Sequence, residues 1–422
     1  MNKPVLLPQR IVITGFFLFA IGLPISHVPA QFGIGLSFLG WLLEGLINRR
    51  WQVRWHVVFV PISAYLLWNI LSASLSERPA HSLAAVLDNE WPILIMVLLY
   101  WTSESSQRLF HLTVAFLISS AFAMVYGVWQ TVGGVEFYRN VQLDPIGWGF
   151  YRAVGFYGFY LTFAALAMTV FFLSTALLVE LKSKKRWLFG ATALVSFLAV
   201  VGTFARSIWL SFAAAIPLFA FTRGKRTGMI VTASLLALLL VGVLTVPALR
   251  FRAASVVDLS QNETRLNLWK TAIRISEDYP LTGVGEDNWD HVFERYRVEG
   301  YYDTIVHPHS DYLSVLVSSG YPGLVAFVAI WGITLTAGFR ASRGIQDEKL
   351  RAITLGSTFA VFGFLVGSLF QNYYGTFINC LGWWFVTGLL FAAHAASDRR
   401  QEVRKPVGKG KEGEEAGAQI NS

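Results

Sequence analysis

Apolar residues run along this chain in long blocks parted by short polar connections, and many blocks are long enough to cross a bilayer. Twelve spans are read, over 11–23, 32–47, 56–75, 91–101, 110–132, 157–179, 187–204, 208–221, 229–249, 312–339, 353–370 and 377–395. Several fall short of the roughly 20 residues that cross a bilayer upright. The first and fourth carry the weakest signal, and the fourth can start earlier than residue 91. The pattern predicts an all-α polytopic membrane protein of about 12 transmembrane helices. No internal repeat is visible.

One stretch breaks the rhythm. From Arg250 to Asp311 the chain is polar, yet it carries Trp269, Trp289, Phe293, Tyr296, Tyr301 and Tyr302. Disordered segments are poor in aromatics, so this loop is expected to be folded and functional. Ser260-Gln261-Asn262-Glu263 fits a capping box. Leu266, Trp269 and Ile273 then recur at helical spacing until Pro280 and Gly283 end the helix. Asp287 or Asn288 is placed to cap a second helix, whose apolar stripe is Trp289, Val292, Phe293 and Tyr296 before Gly300 stops it. Both short amphipathic helices are expected over the mouth of the bundle. The organisation is therefore helices 1–9 over residues 1–249, a large loop over 250–310, helices 10–12 over 311–396, and a charged, Gly-rich tail over 397–422, read as disordered.

Composition supports the membrane class: 54% of residues are hydrophobic and 14% charged, against about 25% charged in soluble domains. The net charge of +8 does not indicate nucleic acid, because the basic residues sit in short clusters between apolar runs. That pattern reports topology. With the N-terminus inside, most of the 34 Lys and Arg fall in inner connections and the two tails, and short outer loops are nearly free of them. Both termini are then inside and the 250–310 loop is outside. Lys3 and Arg10 before the first apolar run look like a signal peptide, but the chain continues into another span, so the run is read as an uncleaved first helix. The single cysteine, Cys380, rules out an internal disulfide.

Candidate chemistry gathers at the outer face. Arg206 lies in Thr203-Phe204-Ala205-Arg206-Ser207, between two spans with almost no loop. A charged side chain at membrane depth costs about 2.5–3.5 kcal/mol and usually faces a polar cavity, although snorkelling to headgroups is the alternative. Arg265 falls in the first turn of a predicted helix, where a cation opposes the helix dipole and an anion nearby would compensate. An ordinary solvated arginine is the alternative. His307 and His309 flank Pro308, and His309 precedes a helix N-terminus, where the dipole favours a neutral imidazole suited to a general base. A backbone-bonded structural histidine is one alternative. A metal pair is the other, with Asp303 or Asp311 as third ligand, but no zinc motif is complete. Arg152, just outside the sixth span, adds positive charge. Tyr301 and Tyr302 are either a sugar-stacking surface or interfacial aromatics. Gly283-Val284-Gly285 reads as a turn, with no following Lys-Ser/Thr to make a phosphate loop. Two arginines offer bidentate binding to phosphate oxygens, and a histidine beside them offers proton transfer.

The twelve spans, the large outer loop, the Arg206 segment, Thr264-Arg265-Leu266 and the run His307-Pro308-His309-Ser310-Asp311-Tyr312-Leu313 resemble the bacterial O-antigen ligase family. Its superfamily also holds O-antigen polymerases and protein O-oligosaccharyltransferases. Ser310 stands where many relatives have Asn, which leaves the base intact and bears on a secondary contact. The resemblance implies a GT-C-type inner-membrane glycosyltransferase that needs no cofactor. It would move a glycan from undecaprenyl pyrophosphate to a sugar hydroxyl of lipid A-core, metal-independently and with inversion. It also implies that Arg206 and Arg265 hold the pyrophosphate and that His309 activates the acceptor hydroxyl. Arg152, His307, Tyr301 and Tyr302 are further candidate substrate-binding residues. A transporter of lipid-linked glycan is the reading from another class. It would place ionisable residues near the midplane of repeated halves.

Overall fold

The computed structural model describes residues 7–404 apart from 104, 259–261 and 306. Lys3, the first two residues of the expected capping box and the tail beyond residue 404 lie outside the described residues. In chain order the helices are α1 (Leu7–Gly22), α2 (His27–Asn48), α3 (Phe59–Leu75), α4 (Pro79–Glu90), α5 (Ile93–Thr102) and α6 (Ser106–Gly133). Next come two short antiparallel hairpins, β1 (Val135–Glu136) with β2 (Val141–Gln142) and β3 (Pro145–Gly147) with β4 (Phe150–Tyr151). Then follow α7 (Tyr160–Glu180), α8 (Arg186–Thr203), α9 (Arg206–Phe221), α10 (Lys225–Thr245) and α11 (Pro247–Val257). The rest are α12 (Glu263–Asp278), α13 (Trp289–Tyr296), α14 (Asp311–Gly344), α15 (Glu348–Gly367) and α16 (Phe377–Arg404).

This is an all-α polytopic membrane protein. Among the described residues eight helices are long and apolar enough to cross a membrane, or nine if the bent pair α4–α5 is one span. That is fewer than the twelve expected. The other three expected spans correspond to α1, α3 and α9, shorter apolar helices of 16, 17 and 16 residues. The bundle core is aromatic. Trp331 of α14 packs on Trp383 and Trp384 of α16 at 4.9 and 5.1 Å, and Phe364 of α15 stacks on Trp383 at 4.7 Å.

Two sets of contacts define the ends of the bundle. At one end the buried Glu180 pairs with Arg223 and, at 2.6 Å, with Arg351, which ties together the ends of α7, α9 and α15. At the other end Asp311, the first residue of α14, accepts the backbone N–H groups of Tyr373, Tyr374 and Gly375 and the hydroxyl of Ser368. These bonds hold the 368–376 connection open. The expected span ending at residue 370 therefore stops at Gly367, and Phe370 and Gln371 are released to the site.

Helix α14 was expected as one continuous span and is broken at Gly320 (φ 64°, ψ −171°). Pro322 has no N–H for the Ser318 carbonyl, and the N–H of Tyr321 goes to the Pro280 carbonyl instead of turning back on its own helix. The freed carbonyls of Val317 and Ser318 accept the N–H groups of Val284 and Gly285 at 2.8 and 3.0 Å. Ser72 and Trp68 of α3 also donate to this break, to Ser318 O at 2.7 Å and Ser319 O at 2.9 Å. The backbone groups that the break frees are thus satisfied internally, as buried backbone requires. Gly283-Val284-Gly285 is the turn that reaches the break, with φ of 65° and 87° at its glycines.

The 250–310 segment shares a second buried core with α14. Leu268, Ala272 and Ile275 of α12, Trp289, Val292 and Phe293 of α13, and Val317 of α14 form a second buried core. The two amphipathic helices therefore turn their apolar faces on each other and on the upper half of α14. The end of α12 at Asp278 agrees with the Pro280 stop and Asn288 caps α13 as expected, but α13 ends at Tyr296 with Arg297 as its cap, short of the expected Gly300 stop. Two further expectations need correction. The expected span 229–249 stops at Thr245, because Val246 is extended and Pro247 opens α11 at its favoured first position, so a helix straddles residue 250. The cap of α12 is Asn262, with no side-chain capping bond, which puts Glu263 at the first helical position and not the third. Glu263 instead accepts the N–H of Tyr301.

Candidate functional site

The α8–α9 hairpin is closed by two residues. Phe204 takes the left-handed conformation (φ 53°) that ends α8, and Ala205 is extended, so Arg206 starts α9 at the end of the bundle. Its Nη1 donates to the Ser255 carbonyl and, at 3.3 Å, to the Ser255 hydroxyl in α11. Arg252, one turn earlier in α11, donates from Nη2 to the Phe204 carbonyl at 3.0 Å. The helix that the sequence did not predict is thus clamped onto the hairpin by two arginines. Ser207 exchanges a hydrogen bond of 2.7 Å with Tyr373 from the connection between α15 and α16.

Arg265 lies in the first turn of α12, as expected, and its Nε has no hydrogen-bond partner. Arg206, Arg265, Trp269 and Phe370 line a cavity of about 220 Å³. Arg152 reaches the same cluster. Its guanidinium lies 4.3 Å over the Tyr160 ring. The turn after it is held by the buried Gln130, which accepts the N–H groups of Val154 and Gly155. Among the described residues the ion pairs include none of these four arginines. Burial, then repulsion by Arg152 and Arg206, pulls the Arg252 guanidinium down to about 10. Burial, then Arg206, lowers Arg265 as well. Cations that depress one another in a partly buried site gain most when an anion enters between them.

The histidine run ends where α14 begins, with Ser310 as the cap. His309 has φ 52°, a left-handed conformation that costs a residue with a β-carbon about 1–2 kcal/mol. Two bonds over-determine it. Its backbone N–H donates to His307 Nδ1 at 3.1 Å, and its Nδ1 lies 2.9 Å from Gln371 Oε1. An amide oxygen only accepts, so Nδ1 carries the proton and Nε2 is the free base. Likewise His307 keeps its proton on Nε2. The rings are 4.3 Å apart. Burial, then His309 and Arg265, lowers His307 to about 4. Burial is also the main cause that lowers His309, with Arg265 adding to it. The helix end was the expected cause of the neutral imidazole, and burial acts in the same direction.

The site therefore unites Arg206, Arg265, Arg152 and His309. His307 and Pro308 line a second cavity, together with Glu90, Glu286 and Asn288. The tyrosines are placed differently. Tyr302 packs edge-on against Phe293 at 5.5 Å and donates to the Val298 carbonyl, so it belongs to the second core. Tyr301 is 63% exposed, and its carbonyl receives Asn267 and Thr264. Asp311, one of the two candidate third metal ligands, has its carboxylate filled by N–H and O–H donors. Among the described residues no group of three or more His, Cys, Asp or Glu could hold a metal ion. Sequence reasoning missed Arg252 and Gln371. The signals were present: Arg250-Phe251-Arg252 directly after a span, and Gln371-Asn372 as a polar gap between two spans.

Residues 191–328 match the family model described as O-antigen ligase. The matched stretch holds Arg206, Arg252, Arg265, His307 and His309, and it supports the O-antigen ligase and polymerase superfamily. No curated protein matches the chain in sequence.

Proposed function

We propose, starting from that superfamily, that this chain is an O-antigen ligase. It transfers a glycan from undecaprenyl pyrophosphate to a sugar hydroxyl of lipid A-core at the periplasmic face of a bacterial inner membrane. The observation that carries this reading is the juxtaposition of arginines that form no ion pair among the described residues and a histidine with a neutral Nε2. The arginines are fitted to a diphosphate, which Arg206 and Arg265 can grip as planar forks. His309 Nε2 removes the proton of the acceptor hydroxyl as its oxygen attacks the anomeric carbon from the face opposite the phosphate. The bond from that carbon to the pyrophosphate oxygen breaks, and the electron pair leaves with the pyrophosphate, where fixed guanidinium groups stabilise the developing charge. The products are the inverted glycoside, undecaprenyl pyrophosphate, and one proton held by His309 until it passes to water. The reading assigns the arginines the charge neutralisation that a divalent ion often supplies to diphosphates. The charged side chains of the site lie at one end of the bundle, which speaks against a transporter with a midplane site.

The test is transfer in vitro from undecaprenyl-pyrophosphate glycan to purified lipid A-core with EDTA present. The wild type should give a ladder of modified lipid. His309→Ala should lower the rate by about 10²–10⁴-fold, the usual contribution of a general base. Arg206→Lys should weaken donor use, because an ammonium cannot form the same fork. An active His309→Ala variant would sink the base assignment. Growth of glycan on the donor lipid, with none on lipid A-core, would make the protein a polymerase.

A further inference from the structure

The cavity lined by His307 and Pro308 has no role in holding a pyrophosphate. It measures about 260 Å³, and its walls come from α4, the 285–288 turn, the first turns of α14 and the connection between α15 and α16. Its chemistry is the reverse of the arginine cavity. The buried Glu90 accepts a hydrogen bond from the Tyr374 hydroxyl at 2.7 Å, and Glu286 accepts one from Asn89 at 3.0 Å. Burial is the chief cause that raises the Glu286 carboxyl above its ordinary value.

Two wall atoms lack the partner that a buried polar group requires. Asn288 is 1% exposed; its Nδ2 donates to the Val284 carbonyl at 2.8 Å, and its Oδ1 has no partner. The Ser314 hydroxyl, in the first turn of α14, has none either. Trp289 and Tyr374 add aromatic surface, and His307 adds its Nε2–H.

This inventory selects a ligand. Carboxyl and amide oxygens accept from hydroxyl groups, a serine and an imidazole N–H donate to them, and aromatic faces cover the C–H side of a pyranose. A phosphate would meet Glu90, Glu286 and Asp311 with no arginine. The volume is close to the lower end of the roughly 300–1,000 Å³ of small-ligand pockets, so one ring fits better than a chain. We infer that this cavity is the acceptor subsite, binding one uncharged sugar ring through Glu90, Glu286, Asn288 and Ser314 beside His307. The inference rests on the proposed glycosyl transfer. It gives the two substrates separate cavities, the anionic donor among cations and the neutral acceptor among carboxyls. The two cannot exchange places.

Initial rates of the full-length protein, with donor and lipid A-core varied in turn, test it. Glu286→Gln keeps the shape of the side chain, and Ser314→Ala deletes a hydroxyl that makes no bond in the protein. Both variants should fold as the wild type does. Glu286→Gln should raise the KM for lipid A-core at least tenfold and Ser314→Ala severalfold, with the KM for the donor unchanged, because removed ground-state binding appears in KM. An unchanged acceptor KM in both variants, or an equal rise in the donor KM, overturns the subsite and leaves the ligase reading standing. Failure of the wild type to modify lipid A-core overturns both.

Discussion

At the scale of single residues the protonation of His309 is the most informative property. Its Nδ1–H donates to a neutral amide, and burial lowers its pKa below the ordinary 6.5. The neutral base therefore persists to lower pH than an ordinary imidazole would, and the transfer rate should hold to correspondingly lower pH. Below it the imidazole takes up a proton and the rate should fall. Gln371→Glu would set a carboxylate on the same Nδ1–H, which favours the charged ring and raises its pKa. The acid limb of the pH–rate profile should then move to higher pH. A limb that stays in place in Gln371→Glu would show that Gln371 does not hold this ring in solution.

At the scale of elements the break in α14 joins the 250–310 segment to the bundle. Gly320 has a φ/ψ pair that essentially only glycine adopts, and a Cβ there would lie 2.2 Å from the Leu281 carbonyl. Gly320→Ala should lower stability by about 1–3 kcal/mol, the cost of such backbone strain, seen as an earlier unfolding transition in detergent. Pro322→Ala should be far milder, because the Ser318 carbonyl already has Gly285 and Ser72 as donors. Equal stability of Gly320→Ala and the wild type would argue that the two halves of α14 are not held at this angle. The cavity attributed to the acceptor should suffer with the break, since Ser314 and the 285–288 turn meet across it.

At the scale of the whole molecule the question is which end faces outward. The charge pattern puts the 182–186 connection inside and the 250–310 loop outside. Glu299 and Lys184 are both exposed, and the single native cysteine is buried. Glu299→Cys should react with a membrane-impermeant maleimide in intact cells, and Lys184→Cys only after permeabilisation. The reverse pattern would turn the protein over and end the periplasmic assignment of the site.

Much of this architecture is local, and the sequence by itself determined it. Block hydrophobicity dictates membrane-crossing helices, because a buried polar backbone leaves no other option. The stripe Trp289, Val292, Phe293 and Tyr296 behind the Asn288 cap dictates α13. The two-residue gap at Phe204 and Ala205 dictates a hairpin with Arg206 at its tip. Tertiary structure decided what depends on partners far along the chain. Pro280, Val284 and Gly285 determine that α14 breaks, by supplying bonds across more than 30 residues. Asp311 unwinds the 368–376 connection and so delivers Gln371 to His309, a pairing separated by 62 residues. Arg152 and Arg252 join Arg206 only through their folds around the hairpin. The capping register of α12 and the inward turn of Tyr302 followed packing over local preference. Periodicity reports which face of a helix is buried. It carries no term for what that face will meet, and the site is made of such meetings.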